Sequence, residues 1–194
     1  MPHDYGPWLD QFPDALIAGQ TALDIGCGRG DDALVLARAG LTVVALDVDR
    51  EAIREAAGRV PAAAFVVADL RDGLAICTVA VDLITASLSL HYFDRATTAE
   101  IVRELHRVLR QGGTLLARVN VVGDVDSLWG QGIEHEPDFF EVEPDRFKRF
   151  FHEASLRETL EPAFDIGIIV PRPTLVHGAY PKQTLVVCAA RRDG

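Results

Sequence analysis

One stretch near the start of the chain, residues 22–34, limits the possible folds more than any other. It reads Ala-Leu-Asp-Ile-Gly-Cys-Gly-Arg-Gly-Asp-Asp-Ala-Leu, so a short apolar run is followed by alternating glycines and then by helical spacing. The apolar run predicts a buried strand, and the residues from Asp31 onward predict a helix. Glycine lets the connecting backbone turn sharply and lie close to a ligand. The stretch therefore predicts the strand, turn and helix that open a nucleotide-binding α/β unit.

The charges around this turn favour one kind of ligand. The dinucleotide fingerprint has glycine at its first, third and sixth positions, whereas the sixth position here is Asp31. A diphosphate would face Asp24, Asp31 and Asp32, and like charges ~4 Å apart repel by roughly 4 kcal/mol near a protein surface. That repulsion cancels the attraction of a helix N-terminus for an anion. A ligand with positive charge near the glycines, such as S-adenosylmethionine, suits the turn better.

Three further motifs follow in a fixed order. The apolar run 41–46 ends at Asp47, about 20 residues beyond the first glycine, as expected for an acid that binds ribose hydroxyls. A third apolar run, 62–67, is followed by Asp69, and residues 107–116 read Arg-Val-Leu-Arg-Gln-Gly-Gly-Thr-Leu-Leu. With the glycine turn, these motifs resemble the seven-stranded class I S-adenosylmethionine-dependent methyltransferases over roughly residues 20–190.

The resemblance implies an α/β fold: a doubly wound, mostly parallel seven-stranded sheet with helices on both faces. Its strand order would be 3-2-1-4-5-7-6, with the last strand antiparallel. The length of 194 residues fits one compact domain, 1–194. The implied cofactor is S-adenosylmethionine, with S-adenosylhomocysteine as product.

The resemblance also implies cofactor-binding residues beyond the carboxyl ends of the strands. Asp24 and the glycine turn would hold the methionine part, Asp47 would accept both ribose hydroxyls, and Val48 would pack on the adenine. Asp69 would accept from the adenine amino group beside Leu70, or would be only a turn residue. The full set is Asp24, Gly26, Cys27, Gly28, Gly30, Asp47, Val48, Asp69, Leu70 and Ser87.

The candidate catalytic residues are His91, Tyr92 and Asn120. Methyl transfer from a sulfonium is an in-line displacement in which the protein mainly aligns the reactants and excludes water. An oxygen or nitrogen acceptor often needs a base as well. His91 is the best-placed base in the sequence, and the alternative is that it only packs against its aromatic neighbours. Asn120 would bind the substrate or tie down the following segment.

Two segments are predicted to cover the site. Apolar spacing within residues 4–18 predicts a short helix in an N-terminal cap segment, 1–19, which either packs on the sheet edge or closes over the cofactor with Tyr5 and Trp8. Residues 121–145 have glycines and aromatic residues without sustained periodicity, which predicts a long loop over the acceptor pocket. The rival interpretation of this loop is a fixed excursion that packs its aromatic residues into the core.

Helices are predicted over 95–110, stopped by Gly112-Gly113, and over 146–161. The region 130–151 resembles small methyltransferases of the tellurite-resistance subset. Neighbouring residues Glu134, His135 and Glu136 point in alternate directions on an extended chain, so no metal site is expected.

Composition excludes several partners. The chain has 19 Lys and Arg against 29 Asp and Glu, a net charge of −10, so a nucleic-acid partner is not expected. Three separated cysteines form neither a disulfide framework nor a zinc spacing. Without a signal sequence or a long apolar run, the expectation is a cytoplasmic protein with no membrane partner. A monomer or a homodimer fits equally well.

Three functions compete. The leading interpretation is methyl transfer to a small-molecule acceptor, whose identity stays open because this fold serves many acceptors. A non-catalytic S-adenosylmethionine-binding sensor or partner subunit is the alternative. A nicotinamide-dependent oxidoreductase is disfavoured by the glycine spacing and by Asp31.

Overall fold

The computed structural model describes residues 8–176 and 180–192 as a central sheet, a smaller sheet and flanking helices. The strands are β1 (Thr21–Ile25), β2 (Thr42–Asp47), β3 (Ala64–Val67), β4 (Val81–Ser87), β5 (Leu109–Asn120), β6 (Ile133–Glu136), β7 (Phe139–Glu143), β8 (Arg146–Arg149), β9 (Phe164–Val176) and β10 (Tyr180–Arg191). The helices are α1 (Asp31–Arg38), α2 (Arg50–Arg59), α3 (Arg95–Val108) and α4 (Glu153–Leu160).

The central sheet has seven strands in the order β3-β2-β1-β4-β5-β10-β9. Strands β1 to β5 run parallel to one another, and β10 runs antiparallel to both β5 and β9. Counting only the strands of this sheet, the order is 3-2-1-4-5-7-6 with the last strand antiparallel. The predicted fold class is confirmed.

Apolar side chains fill both faces of the sheet. Leu23 and Ile25 of β1 belong to one cluster, which includes residues of α3 and α4, while Ala22 belongs to the other, which includes residues of α1 and α2. This division follows from the alternation of side chains along a strand. The parallel strands therefore lie between two layers of helices, and their carboxyl ends meet at one edge.

The boundary between α3 and β5 differs from the prediction. Helix α3 ends at Val108, and Gly112 and Gly113 lie inside β5 instead of stopping the helix. The register between β4 and β5 shifts here, with Val81 opposite Leu109 and Leu83 opposite Thr114. A Cβ on Gly113 would lie only 2.8 Å from the carbonyl oxygen of Arg110. Gly113 therefore permits this bulge between β4 and β5, where a residue with a Cβ would collide with the backbone.

The region after β5 also differs from the prediction. Residues 121–145 contain a short 3₁₀ helix, Val125–Ser127, and strands β6 and β7, so they are not a plain loop. Residues 146–149 form β8 instead of the start of a helix, and β6, β7 and β8 make a three-stranded antiparallel sheet. Ring packing across β7 and β8 holds it: Phe139 stacks on Phe147 with centroids 5.4 Å apart. Such cross-strand pairs stabilise a sheet that local periodicity does not reveal.

The N-terminal segment forms two 3₁₀ turns, Trp8–Gln11 and Pro13–Ala15, instead of the predicted helix. Pro13 occupies the first turn of the second element and prevents continuation of the first. Trp8 and Leu9 are buried and belong to the apolar cluster on the α1 side of the sheet. The predicted role of Tyr5 lies outside the described residues.

Candidate functional site

A cavity of about 980 Å³ opens where the carboxyl ends of β1, β2 and β4 meet. Most of the residues predicted from the sequence line it: Asp24, Gly26, Cys27, Gly28, Asp47, Val48, Asp69, Leu70, Ser87, His91 and Tyr92. Gly30 and Asn120 do not line it. A Cβ on Gly30 would lie 3.0 Å from the Cβ of Ala56, so this glycine lets α2 approach the turn.

The glycine turn is locked to the end of β2. Gly26 and Gly28 have φ of +66° and +52°, which glycine adopts without strain. The Gly28 N–H donates to Asp47 Oδ2 at 2.8 Å, and Asp49 N–H donates to Asp47 Oδ1 at 2.9 Å. Asp47 therefore orders the turn and faces the cavity at the same time. Asp49 caps α2 through the N–H groups of its first turn.

Asp24 is a buried carboxyl group with one unpaired oxygen. It is 1% exposed, and its Oδ1 accepts from Thr85 Oγ1 at 2.8 Å, whereas Oδ2 has no partner among the described residues. Burial, helped by repulsion from Asp32 and Asp47, raises the pKa of Asp24 to about 8. A cation beside Oδ2 would relieve this repulsion, so the site is prepared for positive charge.

A buried polar network lies beside Asp24. Trp8 Nε1 donates to Asp32 Oδ1 at 2.9 Å, and Arg118 Nε donates to Ser87 Oγ at 2.6 Å. The Arg118 guanidinium also lies over the Trp8 ring, 5.1 Å from its centroid. Burial raises the pKa of Asp32, while the charge of Arg118 and hydrogen bonds from Trp8 and Ser87 oppose that rise. The N-terminal segment is thereby tied to Asp32, a residue of the cavity lining.

Asp69 lies at the opposite end of the cavity and already has a partner. Both of its carboxylate oxygens accept from the Arg71 side chain, with Nε 3.0 Å from each. Asp69 also caps the short 3₁₀ helix Leu70–Asp72, as expected of a turn residue. These bonds lower the pKa of Asp69. Val48, near the same end, leaves 65% of its surface exposed despite its apolar side chain.

His91 lies at the other side of the cavity, close to two lysines. It is 1% exposed, and its Nδ1 has no partner among the described residues. Burial, with the positive charges of Lys182 and Lys148, lowers the pKa of His91 well below its usual range. The imidazole is therefore neutral near pH 7 and retains a basic nitrogen. The Tyr92 ring lies 4.2 Å from the His91 ring and is half exposed.

Sequence reasoning missed Lys148 and Lys182 as lining residues of the cavity. The available signal was their rarity, because lysine occurs at only these two positions in the whole sequence. Asn120 is fully buried at the end of β5, and neither atom of its amide group has a partner among the described residues.

No group of three or more His, Cys, Asp or Glu side chains within the described ranges is placed to hold a metal ion. Glu134 instead accepts from the Asp138 N–H, His135 bonds Glu141, and Glu136 pairs with Arg149. In the same part of the chain, no helix is both long and apolar enough to cross a membrane.

Comparisons with known proteins identify similar sequences and similar folds. Residues 22–113 match the family described as "Methyltransferase domain". An uncharacterized methyltransferase of Synechocystis sp. is 37% identical over 99 residues, which are 51% of this chain and 46% of that relative. The chain spans about half the length of the curated relatives it matches.

Solved structures share the fold. The structure of a SAM-dependent methyltransferase from Methanosarcina mazei superposes with a TM-score of 0.82 at 22% identity, covering 95% of this chain and 97% of that one. The structure of a Burkholderia thailandensis 1,6-didemethyltoxoflavin-N1-methyltransferase, with 1,6-didemethyltoxoflavin and S-adenosylhomocysteine bound, gives a TM-score of 0.72 at 20% identity, covering 98% of this chain and 84% of that one.

Residues 22–113, from β1 into β5, are thus similar to methyltransferase domains, and the solved structures share the overall fold. The similarity agrees with the methyltransferase class that the sequence predicts.

Proposed function

We propose that this protein transfers the methyl group of S-adenosylmethionine to a small-molecule acceptor and releases S-adenosylhomocysteine. The observation that carries the proposal is the buried, unpaired oxygen of Asp24 beside the glycine turn. A carboxyl group held without a partner among other acids favours a cationic ligand over a diphosphate. This cofactor carries both an ammonium and a sulfonium, so the donor set fits it.

Each part of the cofactor is assigned to a different group of residues in the cavity lining. Asp24 and the turn Gly26, Cys27, Gly28 would hold the methionine part, with Ser87 nearby. Asp47 would accept from the ribose hydroxyls with the lone pairs that its two backbone bonds leave available. Val48, Asp69 and Leu70 would surround the adenine. Gly30 contributes indirectly by letting α2 approach the turn.

When bound, the cofactor supplies the electrophilic methyl group, and the protein's residues orient the acceptor and exclude water. His91 is the proposed base, since its neutral imidazole lines the cavity with an unpaired Nδ1. Tyr92 would orient the acceptor. Asn120 lies outside the cavity lining, so we propose that it positions the end of β5 instead of contacting the acceptor.

The proposal includes a single domain over 1–194, with 1–19 as a cap and 121–145 as part of the cover of the acceptor pocket. A cytoplasmic monomer or homodimer and membership of the tellurite-resistance subset belong to the same proposal. The alternative is a sensor or partner subunit that binds S-adenosylmethionine without transferring its methyl group.

Calorimetry and a product assay test the proposal together. S-adenosylmethionine and S-adenosylhomocysteine should bind with one site each, whereas NAD and NADP should not bind. Mass spectrometry should then detect methylated product among thiol, chalcogen oxyanion, amine and phenol acceptors. Binding of NAD without S-adenosylhomocysteine would refute the proposed function. Binding without any product, across the acceptor panel, would favour the sensor.

A further inference from the structure

Both lysines of the chain lie at one side of one cavity. Lys148 is on β8, Lys182 is at the start of β10, and His91 stands beside them. The two positions are far apart in sequence, so it is the antiparallel course of β10 that brings them together. The remaining 17 of the 19 cationic residues are arginines. Lysine differs from arginine as a compact point charge with three donors, which suits an anion of varied shape.

Neither ammonium has an ion-pair partner within 4 Å in the described part of the chain. Lys148 Nζ donates to the Ser127 carbonyl at 3.2 Å, which satisfies one donor but no charge. The carboxylates that act on them lie beyond that distance: Glu143 acts on Lys148, and Asp124 acts on both lysines. Asp124 already accepts from Ser127 Oγ at 2.6 Å and from the Gln183 N–H at 3.0 Å. A purely structural lysine pair would be expected to adjoin carboxylates directly.

The other cations near this end are already matched. Arg146 pairs with Glu143 at 2.8 Å, and the charge of Arg118 acts on Asp32. Burial, with the charges of Lys148 and Arg118, lowers the pKa of Lys182 to about 8, although Asp124 opposes the shift. The two ammonium groups thus line the same cavity and repel each other, and an anion between them would offset that repulsion.

The cavity therefore has two electrostatic ends. Asp24, Asp32 and Asp47 lie at the end of the glycine turn, while Lys148 and Lys182 lie at the end of His91. Asp145 and Arg146, which precede Lys148 in the lining, carry opposite charges, so the two lysines leave that end positive. A cationic cofactor matches the first end, and only an anion matches the second.

We propose that Lys148 and Lys182 form an anion subsite that binds a carboxylate or another oxyanion of the methyl acceptor. This inference rests on the proposed function and narrows its acceptor class. The subsite orients the acceptor by its charged group and leaves the methyl transfer itself unchanged. The shared chemistry also fits the carboxylate of the cofactor, and the experiment separates the two sources.

Lysine acylation measures the subsite directly, because the internal amines of the chain are only these two. The full chain, saturated with S-adenosylhomocysteine, is treated with an amine-reactive acetyl ester, and peptide mass spectrometry gives a rate for each lysine. Benzoate, malonate and phosphate serve as anions, and benzamide and malonamide serve as neutral controls at matched ionic strength. At least one anion should slow the acetylation of both lysines about tenfold, the effect expected of one charge-assisted hydrogen bond. The neutral amides should leave both rates unchanged. Unchanged rates with every anion would overturn the proposal.

Variants identify the source of the anion. K148M and K182M should each weaken binding of the protecting anion about tenfold. R103M is the matched control, since it removes one positive charge from an arginine whose side chain is 72% exposed on α3. S-adenosylhomocysteine should bind the lysine variants as it binds the parent chain. Loss of that binding, with affinity for methylthioadenosine retained, would assign the lysines to the cofactor carboxylate and overturn the proposal.

The two proposals fail in different ways. Absence of S-adenosylhomocysteine binding, together with anion protection of both lysines, would remove the methyltransferase function and leave the subsite. Binding of S-adenosylhomocysteine and product formation, without anion protection, would remove the subsite and leave the function.

Discussion

Trp8 donates its indole N–H to both carboxylate oxygens of Asp32, at 2.9 and 3.0 Å. The bond joins a 3₁₀ turn near the N-terminus to the first turn of α1, 24 residues away in sequence. Because Asp32 lines the cavity and Trp8 is buried, this bond fastens the N-terminal segment to a residue of the cavity lining. That residues 1–19 also close over the cofactor stays a prediction.

Replacing Trp8 with phenylalanine should destabilise the protein and weaken binding of S-adenosylhomocysteine. Asp32 loses a donor in a buried place, which costs roughly 1.5–3 kcal/mol of unfolding free energy. Urea denaturation and calorimetry measure the two effects. W129F is the control, because Trp129 also donates to an aspartate, Asp138, but at 3.3 Å and away from the cavity lining. Equal losses in the two variants would contradict a special role for Trp8.

Asp24→Asn should remove a pH dependence of stability. The pKa of Asp24 is about 8 in the folded protein against 3.8 as its ordinary value. The folded state therefore holds this proton between roughly pH 4 and 8 while the unfolded state releases it. The free energy of unfolding should fall as pH rises through that window, by up to about 1.4 kcal/mol per pH unit from this group.

Urea denaturation at pH 5 and pH 8, without ligand, checks this prediction. The asparagine variant should gain stability relative to the parent chain as pH rises, and it should bind S-adenosylhomocysteine more weakly. Thr85→Val is a second variant for comparison, because it removes the hydroxyl that donates to Asp24 and leaves the net charge unchanged. Parallel pH profiles for D24N and the parent chain would show that Asp24 is ionised when buried.

Asp47→Ala should weaken cofactor binding by ~1.5–3 kcal/mol, the usual loss for hydrogen bonds to a charged group. Some stability should be lost as well, because Asp47 also accepts the N–H groups of Gly28 and Asp49. Asp49→Ala is the control, since it removes the α2 cap, worth about 1 kcal/mol of stability, without touching the cavity. If calorimetry finds cofactor affinity intact in a folded D47A protein, Asp47 is not the ribose ligand.

Two glycines of the same turn should respond differently to substitution. A Cβ on Gly26 would lie 2.5 Å from Ser89 Cβ, so Gly26→Ala should lower thermal stability strongly. A Cβ on Gly28 would meet nothing within 4 Å, so Gly28→Val should mainly fill the cavity and abolish cofactor binding. Both positions have positive φ, which adds a similar strain of about 1 kcal/mol to each variant. A stable G28V protein with normal affinity would place the cofactor elsewhere.

Hydrogen exchange tests whether residues 121–145 move. As a mobile cover, these amides should exchange fast in the free protein and slowly when cofactor and acceptor are bound. The ladder between β7 and β8 and the buried Phe139 and Phe140 favour slower exchange in the second half of the segment. Protection throughout, with Trp129→Ala destabilising the fold but leaving turnover per folded molecule unchanged, would instead establish a fixed excursion.

The sequence predicts features whose causes are local. The strand, glycine turn and helix at 22–34 are adjacent in the chain, and the Asp49 cap depends on residues two and three positions away. Strand β8 was missed because its stability comes from Phe139 and Arg149 packing across the ladder, with the guanidinium 4.8 Å from the ring centroid. Tertiary contact outweighed local pattern there.

The two lysines of the site could not be paired from the sequence for a related reason. Lys182 reaches the cavity only because β10 runs antiparallel, which places its first residues beside Asn120 at the carboxyl end of β5. The resemblance predicted that strand direction, but no motif marks which residue of the strand would face the cavity. Only the folded positions of β8 and β10 determine that Lys148 and Lys182 line the same cavity.

The reversed direction of β10 also decides where the protein is best attached to a support. Its far end is fastened at the opposite edge of the sheet, where Arg191 donates to the Leu109 carbonyl at 2.8 Å. Twelve residues of strand correspond to about 40 Å at 3.4 Å per residue. A fluorophore or biosensor surface joined beyond Arg191 would leave the cavity open to ligands in solution.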